Sequence, residues 1–308
     1  MKAVGIICEY NPFHNGHLYH LKKVKELCPD HVIILILGGN FLQRGDASII
    51  NKWDKTKLAI EYGVDLVVEL PFAFATQSAD LFASGSISLL DALGVDKLVF
   101  GSETNDIDSF TLLAKAQLYN DNYDELVKGY LSKGVNYPTA LSNALFTLTN
   151  KKIDTPNDIL GISYVREIIR RKSNIEPICI KRTNNYHDKQ LNSKIASATS
   201  IREALKKNKD ISNYVPKETL KYINKVHNIE NYYPLLKYKI LSELDDLDIY
   251  QTVDEGIENR IKKFIIPSNS YNELVENIKT KRYTYNKIGR MFTHILCNFT
   301  KDEAKDMK

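Results

Sequence analysis

Long apolar runs are missing from this 308-residue sequence. No stretch approaches the roughly 20 residues that a membrane-crossing helix needs. Met1-Lys2-Ala3 leads straight into a strand pattern, without the longer apolar core and small-residue cleavage site of a secretory leader. The expectation is a cytoplasmic protein with no membrane partner. Cysteine is scarce as well. Cys8, Cys28, Cys179 and Cys297 are scattered with no CxxC spacing, which argues against a disulfide framework or zinc site and for buried free thiols. Nor does one sign of charge dominate: 42 Lys+Arg stand against 38 Asp+Glu, for a net charge of +4. The excess lies at one end, since residues 1–200 hold 22 basic against 22 acidic side chains and residues 201–308 hold 20 against 16. A positive surface on an appended unit suits a phosphate-rich partner. With 43% hydrophobic and 26% charged residues the composition is that of an ordinary globular protein, which excludes extensive disorder. The length allows one sizeable core plus an appended unit.

Five short apolar runs are present: Ala3–Cys8, Val32–Leu37, Asp65–Leu70, Lys97–Phe100 and Pro177–Ile180. They alternate with amphipathic stretches such as Trp53–Tyr62, Ser78–Leu93 and Ile159–Arg171. This alternation predicts an α/β fold, a Rossmann-like doubly wound parallel sheet, with ligands at the carboxyl ends of the strands. Residues 105–150 read as a helical insertion whose Tyr119, Tyr123, Tyr130 and Tyr137 are packing groups. Past Asn208 only helical spacing remains, over Tyr233–Leu244, Glu255–Ile265, Tyr271–Lys279 and Lys287–Phe299. The expected division is a catalytic domain over 1–210 and a helical, basic domain over 211–308, with 301–308 fraying.

The chemistry follows the strands. After the first comes Glu9-Tyr10-Asn11-Pro12-Phe13-His14-Asn15-Gly16-His17, a strand-to-helix crossing with two histidines three apart. Unpaired N–H groups and the positive end of the helix dipole face outward there, so an anion is the natural occupant. Gly16 lets the backbone approach a ligand, and imidazoles donate to phosphoryl oxygens. After the second strand, Gly38-Gly39-Asn40-Phe41-Leu42-Gln43-Arg44-Gly45 offers a flexible loop and a cation for a phosphate or small carboxylate. Glu69 ends the third strand as a terminator or, less simply, a metal ligand. Gly101 ends the fourth, where bare backbone can receive an adenine or ribose. Pro156 suits a helix start, and Asn157 can cap that helix or read a base edge. Last come Ile195-Ala196-Ser197-Ala198-Thr199-Ser200-Ile201-Arg202, hydroxyls at a helix start that cap it and present donors to a phosphate, with Arg202 one turn in.

In the C-terminal part, the run 279–290 carries Lys279, Lys281, Arg282, Lys287 and Arg290 with no acid, interleaved with Tyr283 and Tyr285. Cations for a nucleic-acid backbone and aromatic faces for its bases are the reading this supports. The competing one is a solvated basic helix start.

His14 and Gly16-His17 match the HxGH signature of the nucleotidyl transferases. Taken with EYNPFHNGH, GGNFLQRG, GVDLVVELP, FGSE, PNDILG, YHD, IASATSIR, EGIENRI and KTKRYTYNKIGR in order, the chain resembles the bacterial tRNA(Met) cytidine acetate ligase family over nearly its full length. That resemblance implies an ATP-dependent enzyme that makes acetyl-adenylate from acetate and acetylates the wobble cytidine of elongator tRNA(Met), giving N4-acetylcytidine. It implies an ATP site over Ile7, Cys8, Glu9, Tyr10, Asn11, Pro12, Phe13, His14, Asn15, Gly16, His17, Leu18, Tyr19 and His20, with Gly101, Asn157 and Arg182. It further implies charge stabilisation by His14 and His17, phosphate contacts from Thr199, Ser200 and Arg202, and a bridging Mg2+ for which no protein ligand is assigned. Asn286 and Lys287 depart from the Thr-Arg pair expected there. Two other readings stay open: an adenylyltransferase of a small phosphorylated cofactor, and a non-catalytic RNA-binding module.

Overall fold

In the computed structural model, residues 2–182, 196–223 and 226–307 are described. The motif YHD at 186–188, Thr183 and Ile195 lie outside the described residues. The chain begins with β1 (Lys2–Cys8), whose alternate residues face two different cores: Val4 and Ile6 on one side, Ala3 and Ile7 on the other. Then follow α1 (Asn15–Leu27), β2 (His31–Gly38), α2 (Lys52–Glu61), β3 (Leu66–Leu70), the short α3 (Phe72–Ala75), α4 (Ala79–Ala92) and β4 (Lys97–Ser102). The insertion is three helices, α5 (Ile107–Tyr119), α6 (Tyr123–Ser132) and α7 (Tyr137–Thr149), before α8 (Pro156–Arg171) and β5 (Glu176–Lys181). All four pairings are parallel and the strand order is β3-β2-β1-β4-β5.

The order reverses between β1 and β4, so the crevice at their carboxyl ends is the switch point where such sheets bind ligands. Leu21 and Val24 of α1 and Leu58 and Ala59 of α2 cover one face of the sheet. The other face is covered by Phe82, Ile87 and Leu90 of α4 with Ile162, Val165 and Ile168 of α8, and the insertion extends that core through Phe110, Ala140 and Leu145. The fold class is the one expected from the alternation.

α9 (Ala198–Lys206) follows β5, and Ile201 and Ala204 pack with Ile211 and Val215 ahead of α10 (Lys217–Leu220). A separate core joins α11 (Tyr233–Ser242), α12 (Ile257–Ile265), α13 (Tyr271–Ile278) and α14 (Tyr285–Leu296). Against the expected fraying, Lys301–Asp306 forms α15, because Thr300 and Glu303 make a reciprocal capping box and Ala304 packs on Ala73 and Phe299. The four thiols are free, yet only Cys28 is fully buried and Cys297 is exposed. No helix among the described residues is long and apolar enough to cross a membrane.

Candidate active site

The first crossover is held by its own histidines. His14 is the N-cap of α1, and its Nδ1 accepts the Gly16 N–H at 3.0 Å. His17 Nδ1 accepts the His14 N–H at 3.3 Å. The pair does the work of the Ser-x-x-Glu capping box with two imidazoles. An accepting Nδ1 puts the ring proton on Nε2, so each ring retains one donor. Burial pushes His14 down to about 3, with Arg182 and Arg202 adding to the effect, and pushes His17 well below its usual range. Both are neutral donors at pH 7, stacked with ring centroids 3.8 Å apart. His20 is likewise pushed down to about 4 by burial. Tyr10 holds the turn with a left-handed φ of 48° and packs its ring 4.7 Å from that of His17.

Lys55 fixes the floor beside them. Fully buried on α2, its ammonium donates to the carbonyls of Glu9 at 2.9 Å, Gly38 at 2.7 Å and Gly39 at 2.8 Å. It thereby ties the ends of β1 and β2 together. Desolvation pulls it down to about 8. Glu9 Oε1 accepts the Gln43 N–H at 2.7 Å and Asn11 Oδ1 accepts that of Ile49 at 2.8 Å, so the loop after β2 is registered on the histidine crossover.

Across the switch point, Asp158 organises the other wall. It is buried, and its carboxylate accepts from Ser102 Oγ at 2.6 Å, the Glu103 N–H at 3.0 Å and Thr155 Oγ1 at 2.7 Å. Gly101, just before these donors, lines the cavity. Asn157 neither caps α8 nor stands free. It lies one residue inside the helix, past Pro156, and its Nδ2 donates to Glu103 Oε1 at 2.6 Å, an oxygen that also sits 3.5 Å from Arg182 Nε. Ser197 is the N-cap of α9 and accepts the Ser200 N–H at 3.1 Å. Arg202 reaches back from α9 to the Asn11 carbonyl at 2.8 Å and to Thr199 Oγ1 at 3.2 Å. The two phosphate signals read from the sequence, 180 residues apart, therefore meet.

They meet around one cavity of about 320 Å³. Of the expected ATP-site residues, Ile7, Cys8, Glu9, Tyr10, Asn11, His14, Gly16, His17, Tyr19, His20, Gly101, Asn157 and Arg182 line it, as do Thr199 and Arg202. The others support it from behind. Phe13 is buried against Tyr62, Leu18 packs into the α1–α2 core, and Asn15 donates to the Asn213 carbonyl. Pro12 is buried after a cis peptide bond, and Ser200 is buried against Ser197. Arg44, Lys181, Arg182 and Arg202 line the cavity against two carboxylates, Glu9 and Asp46. Neutral imidazole donors, a helix N-terminus and surplus positive charge converge on one polyanion-sized space.

Sequence reasoning missed Lys55, Asp158 and Glu103. For Lys55 a signal exists: it stands at i to Leu58 and Ala59 on the buried face of α2, where an unpaired lysine is out of place. Glu69 does not terminate β3, which runs on to Leu70 before Pro71; it sits opposite Leu37 of β2, and its carboxylate pairs with Lys52 at 2.6 Å. Among the described residues no group of three His, Cys, Asp or Glu side chains could hold a metal.

The basic run divides in two. Lys279, Lys281, Arg282 and Tyr285 are exposed, with the Lys279 ammonium 4.3 Å from the Tyr285 ring centre. Tyr283 is not a free stacking face: it is buried in the helical core, its hydroxyl donates to the Asp254 carbonyl, and Lys287 lies 3.8 Å over its ring. Arg290 turns toward the sheet and donates to the Gln43 carbonyl at 3.3 Å.

A doubly wound sheet whose switch point carries an HxGH cap, facing a cationic cavity, defines a nucleotidyl transferase. The family described as HIGH Nucleotidyl Transferase matches residues 1–308. A protein of Anoxybacillus flavithermus named tRNA(Met) cytidine acetate ligase is 44% identical over 98% of this chain and 79% of its own length. Two crystal structures of Thermotoga maritima TmcAL superpose on 99% of this chain. The apo form has a TM-score of 0.92 at 33% identity over 78% of that chain, and the form bound with alpha-thio ATP has 0.90 at 32% over 77%. The chain belongs to the tRNA(Met) cytidine acetate ligase family.

Proposed function

We propose that this protein is an ATP-dependent ligase that activates acetate as acetyl-adenylate and passes the acetyl group to the wobble cytidine of elongator tRNA(Met). The observation that carries the reading is the single cavity shared by His14 and His17 at one helix start and Thr199 and Arg202 at another, in a chain similar over its length to proteins named for that activity. An acetate oxygen attacks the α-phosphorus of ATP and the bond to the β-phosphate oxygen breaks, releasing pyrophosphate. His14 and His17 donate from Nε2 to oxygens on which charge grows, a role neutral imidazoles fill without a proton transfer. Thr199 and Arg202 hold the phosphates from the opposite side. The cytidine N4 amine then attacks the acetyl carbonyl, a proton leaves the amine, and AMP departs. Closeness and exclusion of water matter more in that step than a strong base.

Mg2+ fits as counter-charge on the triphosphate. Glu9 and Asp46, the two carboxylates that line the cavity, would hold it there, and it would supply positive charge to the phosphates. Residues 1–210 form the catalytic unit in this proposal, and residues 211–308 carry the RNA through Lys279, Lys281, Arg282 and Tyr285. A small phosphorylated cofactor as acceptor would leave that exposed basic segment without a task. Incubation with ATP, labelled acetate and total tRNA, followed by digestion to nucleosides, tests the reading. Label in N4-acetylcytidine supports it, whereas AMP joined to a small molecule overturns it.

A further inference from the structure

Arg290 closes the basic run, yet its neighbours are not solvent. One face of α14 is formed by Gly289, Arg290, Thr293 and His294, and all four meet the catalytic unit. Thr293 Oγ1 donates to the Gly45 carbonyl at 2.8 Å, and His294 Nε2 lies 3.0 Å from the Thr76 carbonyl. Gly45 and Gly289 touch through bare backbone. A Cβ on Gly289 would stand 2.5 Å from the Arg44 carbonyl oxygen, and one on Gly45, whose φ is 78°, would overlap the Gly289 and Arg290 backbone. The contact admits no side chain, so the loop and the helix are in fixed register.

Within that register one residue is held at both of its backbone groups. The Gln43 carbonyl receives the Arg290 guanidinium, and the Gln43 N–H donates to the Glu9 carboxylate. The Gln43 side chain anchors a third point, donating from Nε2 to the Gln77 carbonyl at 3.1 Å. Glu9, Gln43 and Arg44 all line the cavity, and Glu9 immediately precedes the turn that carries the histidines. Burial lowers the guanidinium to about 10, which leaves it charged at neutral pH and makes its bond to the carbonyl a charge-assisted one.

We infer that Arg290 is a positioning residue of the adenylation cavity: it fixes the Gln43 backbone at its carbonyl, and through that residue's N–H the Glu9 carboxylate, so that a helix of the C-terminal unit completes the wall of the catalytic one. The inference rests on reading that cavity as the adenylation site. It removes Arg290 from the RNA-contacting set and leaves the exposed members of the run in place.

The test uses the full chain with Arg290→Met and Arg290→Lys. Three quantities are read: acetate-dependent ATP–pyrophosphate exchange without RNA, the salt dependence of binding to a tRNA(Met) transcript, and amide hydrogen exchange over residues 41–47. In Arg290→Met, exchange kcat/KM falls on the order of 10- to 100-fold, as expected for a displaced wall. The Gln43 and Gly45 amides lose protection. The slope of log K against log salt stays that of the wild type, where loss of a phosphate contact would flatten it by about 0.7 to 0.9. Arg290→Lys keeps a donor for the Gln43 carbonyl and recovers most of the activity and protection. Unchanged pyrophosphate exchange in Arg290→Met overturns the inference, as does a flattened salt slope with exchange intact. Equal losses in both variants reduce Arg290 to packing and overturn it too. If the wild type shows no acetate-dependent exchange, the activity reading fails by itself. The amide protection of Gln43 then decides the inference, and protection unaltered by Arg290→Met sinks it.

Discussion

Replacing Lys55 by Met keeps the length of the side chain and removes the ammonium, which separates what this lysine does for stability from what it does for the site. Two opposing terms set the stability change. Burial lowers the lysine from 10.5 to about 8, a penalty on the charged form of about 3.5 kcal/mol at about 1.4 kcal/mol per pKa unit. Against it stand three bonds to the carbonyls of Glu9, Gly38 and Gly39, each worth about 1.5 kcal/mol as a hydrogen bond to a charged group. The bonds win by about 1 kcal/mol, so Lys55→Met should be destabilised by only that amount, a shift in Tm of roughly 2 °C for a protein of this size. The site should suffer more. With the ends of β1 and β2 untied, the Glu9 carbonyl and the loop after Gly39 lose their common anchor, and acetate-dependent pyrophosphate exchange should fall on the order of 100-fold. Calorimetry and exchange kinetics on one preparation give both numbers. Full exchange at a slightly lowered Tm would refute the positioning argument. A collapse of the fold would refute the balance of terms.

Other outcomes follow from the same geometry. In the proposed reaction His17→Ala removes a donor to growing charge and should lower exchange on the order of 100-fold, while losing about 1 kcal/mol of cap to the His14 N–H; the two effects are read by kinetics and urea unfolding. Gly289→Ala brings a Cβ to 2.5 Å from the Arg44 carbonyl oxygen and should destabilise by about 1–3 kcal/mol through overpacking, seen as a lower urea midpoint. His294 is buried between the Thr76 and Gln251 carbonyls and pushed down to about 4. Its unfolded value is about 6.5, so the unfolded chain binds the extra proton between these values. The stability it confers is complete above about pH 6.5 and is lost as pH falls toward 4, by about 3 kcal/mol in all. His294→Gln should flatten that part of a stability–pH curve by nearly one proton, and an unchanged slope would refute the assignment.

The sheet was legible because its residues obey one period each. Val4 and Ile6 against Ala3 and Ile7 declare a strand buried on both faces, and the order of strands and helices leaves few topologies. The two phosphate signals were legible because capping chemistry and anion binding use the same side chains, and His14 and Ser197 prove to be caps. What escaped was whatever depends on a distant partner. Asp158 acts only because β4 ends beside α8, and Lys55 only because two strand ends meet over it. Nothing in a basic run tells that Arg290 points inward and Tyr283 is buried while Lys281 and Arg282 face out. The capping box at Thr300 and Glu303 was readable by its spacing, and the polarity of its surroundings hid it.

The central claim is that the imidazoles at the first crossover and the hydroxyl and guanidinium at the start of α9 act on one triphosphate. Positional isotope exchange tests it most directly: ATP carrying 18O in the β-nonbridging oxygens is incubated with protein and acetate, and scrambling into the αβ-bridge is followed by 31P NMR. Scrambling that requires acetate and is lost alike in His17→Ala and Arg202→Met is the predicted result. Scrambling that persists at the wild-type rate in either variant would contradict the account.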